Sequence, residues 1–252
     1  MSTKTFAVTE NVQRVLTLFT ELEDRGAREK CLVLVYGSSG VSKTKFSMWF
    51  HTQNQYVYRI RAKRKWTASW MMRELLDAFS VEPEGRMEKM FAQAIRVLGQ
   101  QHQQAQRTGK PFCVIIDEID HALRNQDVLE TIRDLSDILE APFLMFGMER
   151  ANKELKKHKA VFSRTHLIEF KTLSVEDIRK LAEVKAPGVQ IEERLIEYIW
   201  EYSGGYSREI VDALKKVDRF GRRNGGNASI QAMAGTELFV DRDANPVVVP
   251  ES

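Results

Sequence analysis

The stretch YGSSGVSKTKF (36–46) runs straight on from the apolar CLVLVYG (31–37), and its reading decides the fold. A run of strand size feeds a glycine-bearing loop, and a helix is expected to begin near Lys43. Gly37 and Gly40 let the backbone wrap closely around an anion and aim its N–H groups inward. A helix N-terminus behind them adds positive potential. Lys43 can reach the β- and γ-phosphates of a nucleotide, and Thr44 can offer its hydroxyl to magnesium. The pattern G-x-x-x-x-G-K-[ST] reads here Gly37, Ser38, Ser39, Gly40, Val41, Ser42, Lys43, Thr44. Ser42 stands where the second glycine belongs, and its Cβ is expected to crowd the phosphate and weaken affinity or turnover. Taken by itself the loop is also a plain glycine turn before a helix. The strand before it and the helix after it favour a nucleotide.

A second element, VIIDEID (114–120), is an apolar run that ends in two acids. The first acid at the C-terminal end of a buried parallel strand, Asp117, can hold magnesium, usually through water. The next, Glu118, can polarise the attacking water as a general base. Either acid alone reads as a helix cap or a solvated strand end. Phosphate loop and acidic pair in this order, about seventy residues apart, point together to binding and hydrolysis of ATP with magnesium.

Strand-like runs at 31–36, 56–62, 112–117, 141–147 and 165–170 alternate with helical spacing at 8–24, from 43, at 66–79, 84–106, 125–139 and 149–158. FCVIID (112–117) is apolar throughout, as a strand buried on both faces must be. Such alternation predicts an α/β fold, a five-stranded parallel sheet sandwiched by helices. After residue 170 the spacing turns helical only, at 174–184, 191–203 and 206–222. The expected organisation is therefore a nucleotide-binding α/β core with an N-terminal helix (1–171), a small helical lid (172–223) and a C-terminal tail (224–252). The tail holds one strand-like stretch, ELFV (237–240), and is expected to be mobile.

The 252 residues contain 43% hydrophobic and 29% charged side chains, with a formal net charge of +3. That supports a packed core and excludes a disordered chain. The apolar runs are far shorter than the roughly 20 residues that cross a bilayer. The opening MSTKTFAVTE has no apolar signal core, and the two cysteines, Cys31 and Cys113, read as buried thiols. Together these suggest a reducing cytoplasm, with no membrane association. The charges are unevenly placed. YRIRAKRKW (58–66) carries five cations and no acid, and KELKKHKAVFSR (153–164) is also rich in cations. Arg164 and Arg208 are candidates to neutralise charge that develops on a γ-phosphate. For a single arginine a surface ion pair is the even alternative.

The ordered set of phosphate loop, VIIDE, FLMFGM (143–148), FSR (162–164) and GGYSRE (204–209) resembles the AAA+ ATPases. Its order and size are most similar to the transposition ATPases, the Mu B protein and the TnsC target-selection type. TENVQRVLTLF (9–19) and the segment 56–79 are similar to those proteins too, and the resemblance covers about 5–223. It implies an AAA+ P-loop NTPase with a helical lid, in which Lys43 and Thr44 bind phosphate and magnesium. Asp117 and Glu118 would be the Walker B pair, Arg164 the finger given to a neighbouring subunit's ATP, and Arg208 the sensor arginine of the lid. It also implies a homo-oligomer, a helical filament or ring on double-stranded DNA, that recruits and activates a DDE transposase. Two departures stand out. Ser42 replaces a glycine, and Gly147–Met148 stand where many AAA+ proteins place a polar sensor. The length leaves no room for Mu B's additional N-terminal DNA-binding domain, so DNA contact is expected from the core itself.

On the strand at 56–62, Arg59, Arg61 and Lys63 fall on one face by alternation. With Arg64, Lys65 and Thr67 they are the expected DNA-binding residues, suited to phosphates and indifferent to sequence. A solvated charge run is the plain alternative, and Lys153 to Lys159 are expected at a subunit interface instead. Two other functions stay open: a helicase loader or replication-type AAA+ ATPase, and a non-hydrolysing, nucleotide-gated scaffold, which Ser42 and Met148 would favour.

Overall fold

The computed structural model describes residues 6–24 and 31–251. In chain order the elements are α1 (Glu10–Asp24), β1 (Leu32–Gly37), α2 (Lys43–Gln53), β2 (Tyr56–Arg61), α3 (Ala68–Ala78) and α4 (Met87–Thr108). Next come β3 (Phe112–Asp117), α5 (Gln126–Leu139), β4 (Phe143–Met148), α6 (Glu149–Leu155), α7 (Lys159–Phe162) and β5 (Thr165–Glu169). The last are α8 (Val175–Lys185), β6 (Gln190–Ile191), α9 (Glu193–Ser203), α10 (Ser207–Arg223), β7 (Asn227–Ala228), β8 (Glu237–Val240) and β9 (Pro246–Val248). They fall into two compact units. One comprises residues 14–39 and 43–170. The other comprises the described residues up to 13, residues 40–42, and those from 171 onward.

The first unit is built on a five-stranded sheet in the order β2-β3-β4-β1-β5, parallel throughout. Alternation along the strands sends residues to opposite faces, and both faces are apolar. Leu32, Leu34, Val114, Ile116, Phe143 and Met145 join one buried cluster with Met71, Met72, Leu75 and Leu76 of α3 and Met90, Ala94 and Leu98 of α4. On β4 the alternate residue Phe146 packs instead against Phe46 of α2, with ring centroids 6.0 Å apart, and Phe46 stacks on Phe50 at 5.7 Å. This two-sided burial is why these strands read as continuous apolar runs. It leaves the carboxyl ends of β1 and β3 as the place where polar groups are presented.

The second unit closes around Ile178, Leu195, Ile199, Ile210, Leu214 and Val217 from α8, α9 and α10. Ser174 and Asp177 form a reciprocal capping box at the start of α8. The other Asp177 oxygen accepts the N–H of Glu10 at 2.8 Å. The expectation of a mobile tail is overturned. Residues 227–228 pair with β6, and β8 and β9 form an antiparallel hairpin. Leu238, Phe239, Val247 and Val249 are buried in the same cluster as the helices. Two segments with an apolar face, ELFV and PVVV, supply enough buried surface to order the chain despite the glycines and prolines around them. The expected helix over 149–158 stops at Leu155, and α7 follows as a separate single turn.

Candidate nucleotide site and basic strand

The glycine loop leaves the carboxyl end of β1, which lies between β4 and β5, the position at which open α/β sheets present ligand sites. Gly37 is obligatory there. It has φ +155°, and a Cβ on it would lie 2.3 Å from the carbonyl oxygen of Phe170. Lys43, the first residue of α2, folds its ammonium back to donate to the carbonyls of Gly37 and Ser38, both at 2.7 Å. Burial pushes the Lys43 pKa down, and the carboxylates of Asp120, Asp117 and Glu149 oppose that shift.

Ser42 adopts φ +68°, the left-handed conformation a glycine would take freely and which costs another residue about 1 kcal/mol. Its hydroxyl has a partner that glycine cannot supply, the Ser207 Oγ at 2.5 Å. Ser207 in turn donates its hydroxyl (2.6 Å) and its backbone N–H (3.0 Å) to the carbonyl of Gly40. The segment 40–42 and the start of α10 are thus tied together within the second unit.

Asp117 ends β3 with 3% of its surface exposed. One oxygen, Oδ2, accepts from Arg59 Nη2 at 2.5 Å and more weakly from Ser47 Oγ at 3.4 Å. The other, Oδ1, accepts the N–H of Glu118 at 3.0 Å. Glu118 lies at φ 56°, ψ 40°, a strained backbone of the kind that gathers at functional sites. Its carboxylate accepts from Arg61 Nη2 at 2.6 Å, and that bond first, then the charge of Glu118, raises the Arg61 pKa. A third acid, Asp120, accepts the N–H of Met148 at 2.7 Å and lies 3.6 Å from Arg150 Nε. Its Oδ1 is buried and has no hydrogen-bond partner among the described residues. Gly147 leaves room for this contact, since a Cβ there would sit 3.2 Å from Asp120 Oδ2 and 2.6 Å from Ala151 Cβ.

Oxygen donors and an anion cradle are what a nucleotide with magnesium requires. The buried Asp117 carboxylate is held against the Arg59 guanidinium, which a metal ion there would have to displace. Loop amides and Lys43 would hold phosphates, while Thr44 and Asp117 would share the metal. Ser38, Ser39 and Val41 complete the loop; Val41 is buried and Thr44 exposed.

The basic segment divides. Arg59 is committed to Asp117 and also donates to Ser47 Oγ at 3.1 Å, so the expectation that it contacts DNA is corrected: the register opposite Ile115 aims it at the end of β3. Arg61, Lys63, Arg64 and Lys65 are exposed. Lys63 pairs with Glu74 and lies 5.1 Å from the Trp70 ring centroid. Thr67 caps α3, its hydroxyl oxygen accepting the N–H of Trp70. Trp66 is buried and donates to Glu74. Arg164 pairs with Asp137 at 2.9 Å, and Arg208 is exposed in the first turn of α10. Sequence reasoning missed Ser47, Asp120 and Ser207. Asp120 was in view as the last acid of DEID, whereas Ser47 and Ser207 carry no motif.

A family model described as an AAA domain matches residues 26–155. No curated protein matches the sequence. Among solved structures the chain is similar to Cdc6p from Pyrobaculum aerophilum, with TM-score 0.59 and 14% identity over 92% of this chain and 68% of that one. It is similar to the Orc1 protein of Aeropyrum pernix in complex with DNA, with TM-score 0.53 and 17% identity over 86% and 61%. It also resembles the Thermotoga maritima RuvB Holliday junction branch migration motor, with TM-score 0.53 and 19% identity over 88% and 65%. These likenesses match the fold expected from the sequence, an AAA+ P-loop α/β fold with a five-stranded parallel sheet. Among the described residues no helix is long and apolar enough to cross a membrane.

Proposed function

The chain belongs to the AAA domain family, and on that premise we propose that it is an ATP-dependent, duplex-DNA-binding ATPase of the Mu B and TnsC type. In this reading it oligomerises on target DNA and recruits and activates a DDE transposase. The observation that carries the reading is the double pairing of β2 with the end of β3, Arg59 with Asp117 and Arg61 with Glu118. The cations that open the basic segment are the partners of the two acids that would serve hydrolysis.

Magnesium bound with ATP would neutralise charge that builds on the phosphates during transfer. Lys43 and the loop amides hold the phosphate chain, and Thr44 and Asp117 supply oxygen ligands. Glu118 orients the attacking water and receives its proton, a role open to it only when Arg61 releases its carboxylate. A DNA phosphate that takes Arg61 would free Glu118, so DNA binding would favour hydrolysis. Arg61, Lys63, Arg64, Lys65 and Thr67 form the DNA face. Arg164 would reach a neighbouring subunit's nucleotide, and Arg208 would act from the lid over residues 172–223.

A second reading, a replication-type or helicase-loading ATPase, draws on the likeness to Cdc6p and to Orc1 in complex with DNA. Fluorescence anisotropy with labelled duplex and single-stranded DNA, with ATP, ADP or no nucleotide, separates the two. Duplex binding that needs ATP supports the transposition type. A preference for single strands turns the assignment to the loader, and binding indifferent to nucleotide contradicts both.

A further inference from the structure

Arg242 follows β8 in the hairpin turn, and the turn that carries it is tightly built. Asp241 Oδ1 accepts the N–H groups of Asp243 at 2.9 Å and Asn245 at 2.7 Å, an arrangement by which a short acidic side chain fixes a turn. The guanidinium of Arg242 lies over the ring of Tyr206, 3.4 Å from its centroid. Its Nε is 3.8 Å from Glu209 Oε1. It also reaches the phosphate loop itself. A Cβ on Gly40 would meet Arg242 Nη2 at 3.3 Å and the Tyr206 ring at 3.7 Å. All these residues belong to one compact unit, which includes 40–42.

We propose that Arg242 is a nucleotide-binding residue, a guanidinium brought by the C-terminal hairpin to the central glycine of the loop to contact the phosphate chain of ATP. The inference rests on the nucleotide reading above and adds a residue to it. A planar guanidinium with several donors matches phosphate oxygens better than any other side chain. Stacking on Tyr206 holds the plane in place. Gly40, at φ +90°, gives the space that a side chain would take from the guanidinium. Glu209, whose side chain is 11% exposed and whose Oε2 has no hydrogen-bond partner among the described residues, offers a second anchor for the same cation. The buried apolar residues of β8 and β9 then gain a purpose beyond filling a core: they set the position of Arg242.

The test is isothermal titration of the full chain with Mg-ATP, comparing wild type, Arg242→Gln and Arg242→Lys, with the melting temperature of each nucleotide-free protein measured alongside. Arg242→Gln is expected to weaken ATP binding about tenfold, the loss of one charge-assisted hydrogen bond. Its nucleotide-free melting temperature should stay at the wild-type value. Arg242→Lys should fall between the two. Wild-type affinity in Arg242→Gln overturns the proposal. So does a loss of affinity matched by a loss of melting temperature, which makes the arginine a hairpin anchor only. A wild-type chain that binds no ATP removes the nucleotide reading, and this proposal with it.

Discussion

Arg59 and Asp117 stand on neighbouring parallel strands with Nη2 and Oδ2 2.5 Å apart, their side chains 20% and 4% exposed. The guanidinium neutralises the one buried carboxylate that a magnesium ion would seek. Removing it strands that charge with Ser47 as its nearest side-chain donor, at 3.4 Å. Arg59→Ala is therefore expected to destabilise the nucleotide-free protein by about 3 kcal/mol, measured by urea unfolding. Mg-ATP should restore more stability to the variant than to wild type, because the cation then has no competitor for Asp117. A variant as stable as wild type without nucleotide would show the pair to be dispensable.

The Arg61–Glu118 pair is different because both side chains reach solvent, at 64% and 37% exposure. A solvent-exposed pair contributes little to stability. Arg61→Ala should leave the unfolding midpoint unchanged while weakening duplex binding evenly across sequences. The slope of log affinity against log salt should fall by about one. Arg64→Ala and Lys65→Ala should behave likewise, and Arg59→Ala should leave the salt slope alone. A salt slope untouched in Arg61→Ala would remove this strand from the DNA face.

Ser42 combines a cost and a gain. Glycine at this position relieves about 1 kcal/mol of left-handed strain and gives up a hydrogen bond to Ser207 worth about as much. Ser42→Gly should therefore lie within about 1 kcal/mol of wild type. Ser42→Ala keeps the strain and loses the bond, so it should be the less stable variant by about 1 kcal/mol. Urea midpoints that rank alanine above glycine would contradict this account of the loop.

Burial lowers the pKa of Lys43 from its ordinary 10.5, and the sign of the consequence can be worked out. Between the lowered value and 10.5 the unfolded chain holds a proton that the folded chain has lost, so stability from this group rises with pH there. Nucleotide affinity runs the opposite way, because only the ammonium attracts phosphate. Mg-ATP affinity should decline through the lowered value, before an ordinary lysine would titrate, and Lys43→Arg should abolish the decline. Calorimetric titrations from about pH 7 to 10 measure it. An affinity that stays flat across that range would contradict the lowered pKa of Lys43.

Much of this was legible in the sequence because parallel strands buried on both faces leave uninterrupted apolar runs, and CLVLVY and FCVIID are such runs. The loop and the DEID acids were legible for a different reason: phosphate chemistry restricts both residue type and spacing. What failed depended on contacts distant in sequence. The alternation at Arg59 and Arg61 was readable, yet the register that sets Arg59 opposite Ile115 and Arg61 opposite Asp117 was not, so Arg59 was assigned to DNA along with the rest of the basic segment. The hairpin over 237–248 failed because its strands are too short to carry a periodic signal. Its order comes from packing against α9 and α10, shown by the Tyr198 hydroxyl donating to the carbonyl of Val248 at 2.7 Å and by Leu238 in the shared core.

The central claim is that nucleotide governs assembly on duplex DNA. Electron microscopy of the protein with linear duplex DNA tests it most directly, comparing a slowly hydrolysed ATP analogue, ADP and no nucleotide. Filaments or stacked rings that cover the DNA only with the analogue are the predicted result. Bare DNA in all three conditions, or equal coverage with and without nucleotide, would contradict the account.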